Sequence, residues 1–162
     1  RHNIAYVSQD NQLLFGSIRD NLAMGLSQAD DEAIVRAAEI SGVADFVNRH
    51  PLGFDMPVGE HGSSLSGGQR QAVALARALV QDAPVLLMDE PTGSMDNSSE
   101  DHIRRELAEV IAGKTVILIT HRASLLDLVE RVIVVDAGKV VADGPKAQVL
   151  EALRAGRIKQ TR

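Results

Sequence analysis

The sequence predicts an α/β fold with a mainly parallel sheet. Short apolar runs with the character of buried strands alternate with segments of helical periodicity, an alternation typical of α/β folds. Each strand-like run is followed directly by polar residues. The runs are Ile4–Val7, Val85–Met88 and Thr115–Ile119. Because they are continuously apolar rather than alternating, we expect them to be buried parallel strands.

The segment between the first two strands is predicted to be mostly helical. Ser17 and Ser27 are N-cap candidates for the first two helices. Gly25 and the Ser41-Gly42 pair mark the ends of those helices. The predicted elements are, in order, helices over Ile18–Met24, Ala29–Ile40 and Val43–Asn48, an ordered loop over Leu52–Ser64, and a helix over Ala72–Val80.

The segment after the second strand begins with an amphipathic helix over Ser98–Ala112, which Gly113 ends. After the third strand, Ser124 is predicted to cap a short helix through Val129. The remaining elements are a hairpin of strands Val132–Val135 and Val140–Ala142 joined at Asp136–Lys139, and a last helix from Pro145 to Leu153.

Composition limits the class of protein. The 162 residues are enough for one domain with a real core, and a formal net charge of −5 provides no basic field for nucleic acid. The absence of Cys excludes a disulfide framework and a thiolate zinc site. No apolar run approaches the roughly 18 residues that span a bilayer. The first residues carry no signal peptide, and we expect the chain to be a piece of a longer protein.

Two motifs stand close together in the middle of the chain. The first, Leu65-Ser66-Gly67-Gly68-Gln69-Arg70-Gln71, precedes a helical run and predicts a helix N-terminus able to bind an anion. The second, Val85-Leu86-Leu87-Met88-Asp89-Glu90-Pro91-Thr92, predicts a strand that brings two carboxylates to the ligand-binding edge of the sheet. Alone, the first could be an ordinary N-cap and the second a polar strand end without chemistry.

Together, in this order, the motifs resemble the signature and Walker B motifs of the ATP-binding cassette (ABC) ATPases. The resemblance covers essentially the whole chain and implies a P-loop NTPase-like sheet with a helical subdomain. Residues 1–162 would be part of a nucleotide-binding domain. Residues 17–80 would approximate its helical subdomain, and residues 1–16 and 81–162 would belong to its catalytic α/β core.

The resemblance also implies roles for individual residues. Asp89 and Gln9, the glutamine after the first strand, would hold Mg²⁺, and Gln9 would also contact the nucleotide site. Glu90 would be the catalytic carboxylate and His121 the switch histidine at the terminal phosphate. The remaining ATP-binding residues would be Leu65, Ser66, Gly67, Gly68 and Gln69 of the signature and Asp96 of the D-loop.

The implied partners are a second nucleotide-binding domain, in a head-to-tail dimer, and the transmembrane domains of the same transporter, but not nucleic acid. The segments Leu14–Asn21 and Val58–Gly62 resemble exporter sequences. Leu125–Val129 and Asp143–Lys146 resemble the ATPases of type I protein secretion. The implied location is the cytoplasmic face of the inner membrane.

The family's phosphate-binding loop, G-x-x-x-x-G-K-[ST], does not occur in these 162 residues. Gly113-Lys114-Thr115 comes nearest, but we interpret it as a helix-ending Gly before a strand. The N-terminal part with the P-loop strand is therefore expected to be missing, with a gap beside Thr115–Ile119. By itself the chain is expected to be marginally stable and to hydrolyse ATP weakly or not at all.

Two other functions are open. A soluble ABC-type ATPase of DNA repair or translation would share the motifs, although the acidic charge and 2% aromatic content argue against it. A non-catalytic interaction fragment would present the signature face alone, although the presence of Glu90 argues against it.

Overall fold

The computed structural model describes residues 3–26 and 30–158 and has a mixed α/β fold with a parallel sheet, which confirms the predicted fold class. The chain forms two compact units, Arg1–His121 and Arg122–Arg162. Each unit is described by itself. No helix among the described residues has the length and hydropathy needed to cross a membrane.

The sheet of the first unit has three parallel strands in the order β1-β2-β3. They are β1 (Ile4–Val7), β2 (Val85–Asp89) and β3 (Thr115–Ile119). All three match predicted strands. Because the strands are parallel and in register, their carboxyl ends meet at one edge of the sheet.

The two faces of this sheet differ in exposure. One face is buried on β1 and β2, through Ala5, Val7, Leu86 and Met88. The other exposes large apolar side chains, with exposed fractions of 57% for Ile4, 55% for Tyr6, and 53% each for Ile117 and Ile119. Exposure of this much contiguous apolar surface favours association or low stability. Low stability of the chain alone stays a prediction.

The described residues of the first unit form the helices α1 (Ile18–Leu22), α2 (Asp31–Ser41), α3 (Val43–Val47), α4 (Gly67–Val80) and α5 (Asn97–Val110). Helix α4 contacts α1, α2, α3 and β1, and α5 contacts α2. The predicted loop before α4 contains two 3-10 turns, Gly53–Asp55 and Glu60–Gly62.

Several boundaries differ from prediction because of capping. Helix α2 has Asp30 as its N-cap, which accepts from Glu32 N, whereas the predicted cap Ser27 and start Ala29 lie outside the described residues. Helix α4 begins earlier than the predicted Ala72, because Ser66 is its N-cap. Gly113 has φ +78° and lies between α5 and β3, as the interpretation of Gly113-Lys114-Thr115 requires.

The second unit contains an antiparallel hairpin of β4 (Arg131–Asp136) and β5 (Lys139–Pro145), as predicted. Helix α6 (Lys146–Arg154) follows, with Pro145 at the N-cap position. The short helix before the hairpin is a 3-10 helix over Ala123–Leu128 with Arg122 at the N-cap position. The prediction that Ser124 caps it is therefore wrong, because Ser124 lies inside its first turn.

Candidate functional site

The first group of predicted residues follows the carboxyl ends of the three parallel strands. Gln9 comes after β1, Asp89 ends β2 with Glu90 next, and His121 comes after β3. The backbone N–H of Glu90 donates to the Ile119 carbonyl at 2.8 Å, which joins the ends of β2 and β3. We call these four residues the sheet-edge cluster. Polar groups at this edge are in the position that ligands occupy in open parallel sheets.

Within this cluster, Glu90 and His121 make direct contact. Glu90 Oε1 lies 2.6 Å from His121 Nδ1 and accepts from the His121 backbone N–H at 3.0 Å. The Glu90 side chain is 15% exposed and that of His121 is 78% exposed. Because an ionised carboxylate can only accept, Nδ1 carries a proton in this contact. The pair therefore presents an oriented imidazole to solvent beside a shielded carboxylate.

Asp89 and Gln9 are the candidate metal-binding residues. Asp89 is partly buried and pairs in register with Ile119, and Gln9 is exposed. Among residues 3–26 and 30–158, no three His, Cys, Asp or Glu side chains are grouped so that they could hold a metal ion. One carboxylate and one amide oxygen do not form a closed site. They fit Mg²⁺, which binds through one or two carboxylates together with waters and phosphate oxygens.

The second group lies at the N-terminus of α4. Ser66 Oγ accepts from the Gln69 N–H at 3.2 Å, and Gln69 Oε1 accepts from the Ser66 N–H at 2.9 Å. This reciprocal capping box fixes both side chains. It satisfies one of the first N–H groups of the helix and leaves those of Gly67 and Gly68 at the positive end of the helix dipole.

A cavity of about 750 Å³ lies in front of this helix terminus. We call it the helix-terminus cavity. It is lined by Ser66–Gln69 and Ser94–Asp96, among other residues. Asp96 is the N-cap of α5, and the Ser99 backbone N–H and hydroxyl that donate to it lower the pKa of its carboxyl. The cavity therefore lies between two helix N-termini, with an ionised carboxylate at one of them.

Gly68 allows the close approach of α4 to the segment before α5. A Cβ at position 68 would lie 3.1 Å from the Ser94 carbonyl oxygen, whereas a Cβ at Gly67 would be 3.6 Å from the nearest atom, Ser94 Cβ. A side chain at position 68 would therefore require the Ser94 carbonyl to shift by a few tenths of an ångström, whereas one at position 67 would make ordinary contacts.

The predicted site residues are divided between the helix-terminus cavity and the sheet-edge cluster. Ser66, Gly67, Gly68, Gln69 and Asp96 share the helix-terminus cavity, and none of the sheet-edge cluster lines it. Leu65 lines neither: its side chain is 4% exposed, and its carbonyl accepts from Arg70 Nη1 at 2.7 Å.

Sequence reasoning missed Gln71, which connects the two places. Its amide donates to the Glu90 carbonyl of the sheet-edge cluster and accepts from the N–H of Ser94, which lines the cavity. The available signal was its position, since Gln71 precedes Leu75 and Ala78 on the buried face of α4. A buried polar side chain on such a face needs partners.

Sequence reasoning also missed the contact between Arg77 and Asn21. Arg77 of α4 donates to the Asn21 side chain at 2.8 Å and to the Asn21 carbonyl at 2.9 Å. Burial lowers the pKa of Arg77. Asn21 is 1% exposed and exchanges two hydrogen bonds with the backbone of Leu14. The pair therefore holds the exposed Leu14–Phe15 loop to α4.

A family model and related proteins match this chain. A family model described as "ABC transporter" matches residues 1–93. An "Uncharacterized ABC transporter ATP-binding protein" of Haemophilus influenzae is 44% identical over 156 residues, which is 93% of this chain and 25% of that protein. An "ATP-dependent lipid A-core flippase" of Pseudomonas aeruginosa is 44% identical over 151 residues, again 93% of this chain and 25% of that protein.

A solved structure gives the same result for the fold. A bacterial Atm1-family ABC exporter with ATP bound superposes with a TM-score of 0.88 at 36% identity, covering 93% of this chain and 27% of that one. The chain thus spans about a quarter of the length of the relatives that it matches.

Proposed function

Since the chain belongs to the ABC transporter family, a family of ATPases, we propose that it is the nucleotide-binding domain of an exporter that couples ATP hydrolysis to transport across a membrane. The observation that carries this proposal is the contact between Glu90 and His121, at 2.6 Å, at the carboxyl edge of the parallel sheet. A shielded carboxylate beside an oriented imidazole is suited to positioning a water and a phosphate together.

In this proposal Glu90 orients the attacking water and His121 acts on the terminal phosphate. The water oxygen forms a bond to the γ-phosphorus while the bond to the bridging oxygen of ADP breaks. Glu90 Oε1 accepts from the His121 N–H and ring, and Oε2 accepts from the Thr120 hydroxyl at 3.4 Å, so Oε2 is the oxygen that would also accept from the water. The exposed remainder of the imidazole can reach a phosphate oxygen. Mg²⁺ held by Asp89 and Gln9 would offset the charge of the phosphates.

The helix-terminus cavity would bind a different ATP molecule. The N–H groups of Gly67 and Gly68 suit a terminal phosphate. None of the sheet-edge cluster lines this cavity. A head-to-tail dimer would bring both groups of residues to one ATP molecule, because each nucleotide would then lie between the sheet-edge cluster of one subunit and the cavity of the other. We therefore propose a second nucleotide-binding domain as partner.

The transmembrane domains of the exporter are the other proposed partner. Phe15 is 84% exposed and Leu14 58% exposed, in a loop that Asn21 and Arg77 hold in place. An exposed apolar loop that hydrogen bonds hold in one position is suited to docking against a membrane-domain helix. The domain would then lie at the cytoplasmic face of the membrane, with residues 17–80 as the helical subdomain and residues 1–16 and 81–162 in the catalytic core.

The cargo is a separate part of the proposal. Lipid A-core flippases of several species are among the relatives, and the Pseudomonas aeruginosa protein is 44% identical. These names support a lipid cargo. The alternative is protein cargo exported by type I secretion, which rests on the residues Leu125–Val129 and Asp143–Lys146 alone.

The experiment is ATP hydrolysis by the full-length protein in proteoliposomes, with and without candidate cargo. Stimulation by lipid A and ATP-dependent movement of lipid between leaflets are expected. Stimulation by an unfolded secretion substrate instead would favour type I secretion. Hydrolysis stimulated only by DNA or ribosomes would favour the soluble ATPase, and no hydrolysis at all would favour the non-catalytic interaction fragment.

A further inference from the structure

The turn after β2 is held by one buried side chain of α4. Gln71 is 2% exposed. Its Nε2 donates to the Glu90 carbonyl at 2.5 Å, and its Oε1 accepts from the Ser94 N–H at 2.6 Å. Within the same turn, Gly93 N–H also donates to the Glu90 carbonyl, at 3.1 Å. Both ends of the Gln71 amide are thus used by the backbone on either side of the turn.

The backbone at Glu90 is in a conformation that needs such support. Its φ of +48° lies in the left-handed region, which L residues other than Asn and Asp rarely adopt. This dihedral takes Glu90 out of the strand direction of β2, and its carboxylate meets the His121 N–H and ring. Strained backbone at a functional group persists only when its surroundings fix it. Gln71 and the Ile119 carbonyl are the two groups that fix the Glu90 peptide units from outside the turn.

We propose that Gln71 is a positioning residue for hydrolysis: it holds the Glu90 carbonyl, and through it the left-handed backbone that directs the Glu90 carboxylate to His121. The inference rests on the proposed function, because it assigns Gln71 a part in the turnover that Glu90 performs. Gln71 is buried and does not line the helix-terminus cavity, so it is placed to act through Glu90 and not on ATP directly. Its effect should therefore fall on the rate of the chemical step and not on nucleotide affinity.

The test compares two substitutions in the full-length protein. Gln71→Met keeps the length of the side chain and removes both hydrogen bonds. Gln71→Glu keeps an acceptor for the Ser94 N–H but, when ionised, loses the donor for the Glu90 carbonyl. Gln81→Met is the matched control, since Gln81 lies at the other end of α4 as its C-cap residue. The amount of folded protein is normalised by thermal unfolding.

Both Gln71 variants are expected to lose about 10- to 100-fold in kcat, as displacement of a reacting group by about an ångström does. MgATP affinity, measured in the non-hydrolysing Glu90→Gln background, should stay within about threefold with and without Gln71→Met. Gln81→Met should match the wild type in both measurements.

Three results would overturn the inference while the proposed function stands. They are wild-type kcat in Gln71→Met, wild-type kcat in Gln71→Glu (which would assign the effect to Ser94), or an equal loss of MgATP affinity and kcat. A wild-type protein that does not hydrolyse ATP would instead contradict the proposed function itself.

Discussion

Glu90 Oε1 and His121 Nδ1 lie 2.6 Å apart, although 31 residues separate them in sequence. The backbone N–H of His121 donates to the same Glu90 carboxylate oxygen at 3.0 Å. The contact therefore depends on the pairing of β2 with β3 and not on side-chain flexibility. The imidazole and the carboxylate therefore form one unit, and we expect the loss of either side chain to remove the function of the other.

His121→Ala is expected to reduce ATP turnover by about 100-fold, the order of a positioned acid–base group. MgATP binding should be retained, since His121 is proposed to act on the terminal phosphate late in the reaction. Steady-state hydrolysis and equilibrium nucleotide binding measure the two effects. The control is His50→Asn. His50 Nδ1 accepts from Leu52 N at 3.2 Å, and His50 belongs neither to the sheet-edge cluster nor to the lining of the helix-terminus cavity. A turnover loss as large in His50→Asn would contradict the assignment.

The two glycines of the signature should respond differently to alanine. Gly→Ala inside a helix usually stabilises by up to about 1 kcal/mol. Gly67→Ala has room for its Cβ and should raise or leave unchanged the melting temperature. Gly68→Ala would place Cβ 3.1 Å from the Ser94 carbonyl and should lower the melting temperature. Equal melting temperatures for the two variants would show that the α4 terminus is less closely packed than described.

Ser66→Ala removes the N-cap of α4 and should destabilise the protein by about 1 kcal/mol. The Gln69 side chain should stay in place, because the backbone N–H of residue 66 that donates to it is present in alanine as well. Urea unfolding of the purified protein measures the change. Ser98→Ala, in the first turn of α5, serves as the comparison and should change the free energy of unfolding by less than about 0.5 kcal/mol.

Arg77→Met should destabilise the protein by about 1–3 kcal/mol, because the part-buried Asn21 carbonyl loses its donor and the Asn21 side-chain oxygen keeps the Leu14 N–H but loses Arg77. Hydrogen exchange should rise at the Leu14 N–H, whose acceptor is the Asn21 side chain. Arg105→Met is the control, since Arg105 is exposed and donates to the carbonyl of Asp101 in its own helix. Unchanged exchange at Leu14 in Arg77→Met would mean that the loop does not depend on this pair.

The Arg131–Asp143 pair of the hairpin predicts a pH dependence of stability. Hydrogen bonds and charge from Arg131 lower the pKa of Asp143, and Asp143 raises that of Arg131. A lowered carboxyl pKa stabilises the fold above its ordinary value of about 3.9, and this contribution is lost as pH falls through the lowered value. The stabilisation that goes with the raised pKa of Arg131 is fully present below the ordinary pKa of arginine and is lost only as pH rises through the raised value.

Unfolding of the wild type and of Asp143→Asn should therefore differ from pH 5 to 9 and converge in acid. Added salt should reduce the difference, because the pair is exposed. A difference that is independent of pH would assign the effect to hydrogen bonding by the side chain and not to its charge.

The sequence was sufficient for features that are local or strictly periodic. The three apolar runs predicted β1, β2 and β3, and the candidate residues Gln9, Asp89, Glu90 and His121 lie at or just after the carboxyl ends of these strands. Ser66 was recognisable as a cap from its position before two glycines. The ABC family assignment followed from two motifs and agrees with the family match over residues 1–93.

Other features depend on tertiary contacts that no local pattern contains. Gln71 bonds to groups 19 and 23 residues away, and Arg77 to a residue 56 away. The left-handed backbone of Glu90 could not be predicted either, because Glu has no preference for that region. Its conformation follows from the β3 pairing and the Gln71 amide. The separation of the sheet-edge cluster from the helix-terminus cavity likewise becomes visible only when α4 and the sheet are placed together.

The most direct test of the proposed function is MgATP turnover and binding by the full-length protein and its Glu90→Gln variant. Glu109→Gln is the matched control, since Glu109 is exposed near the end of α5. The proposal predicts hydrolysis by the wild type and by Glu109→Gln, and a loss of about 100-fold or more in Glu90→Gln with MgATP affinity retained. Turnover by Glu90→Gln within about threefold of the wild type would contradict the assignment of the sheet-edge cluster as the hydrolytic centre.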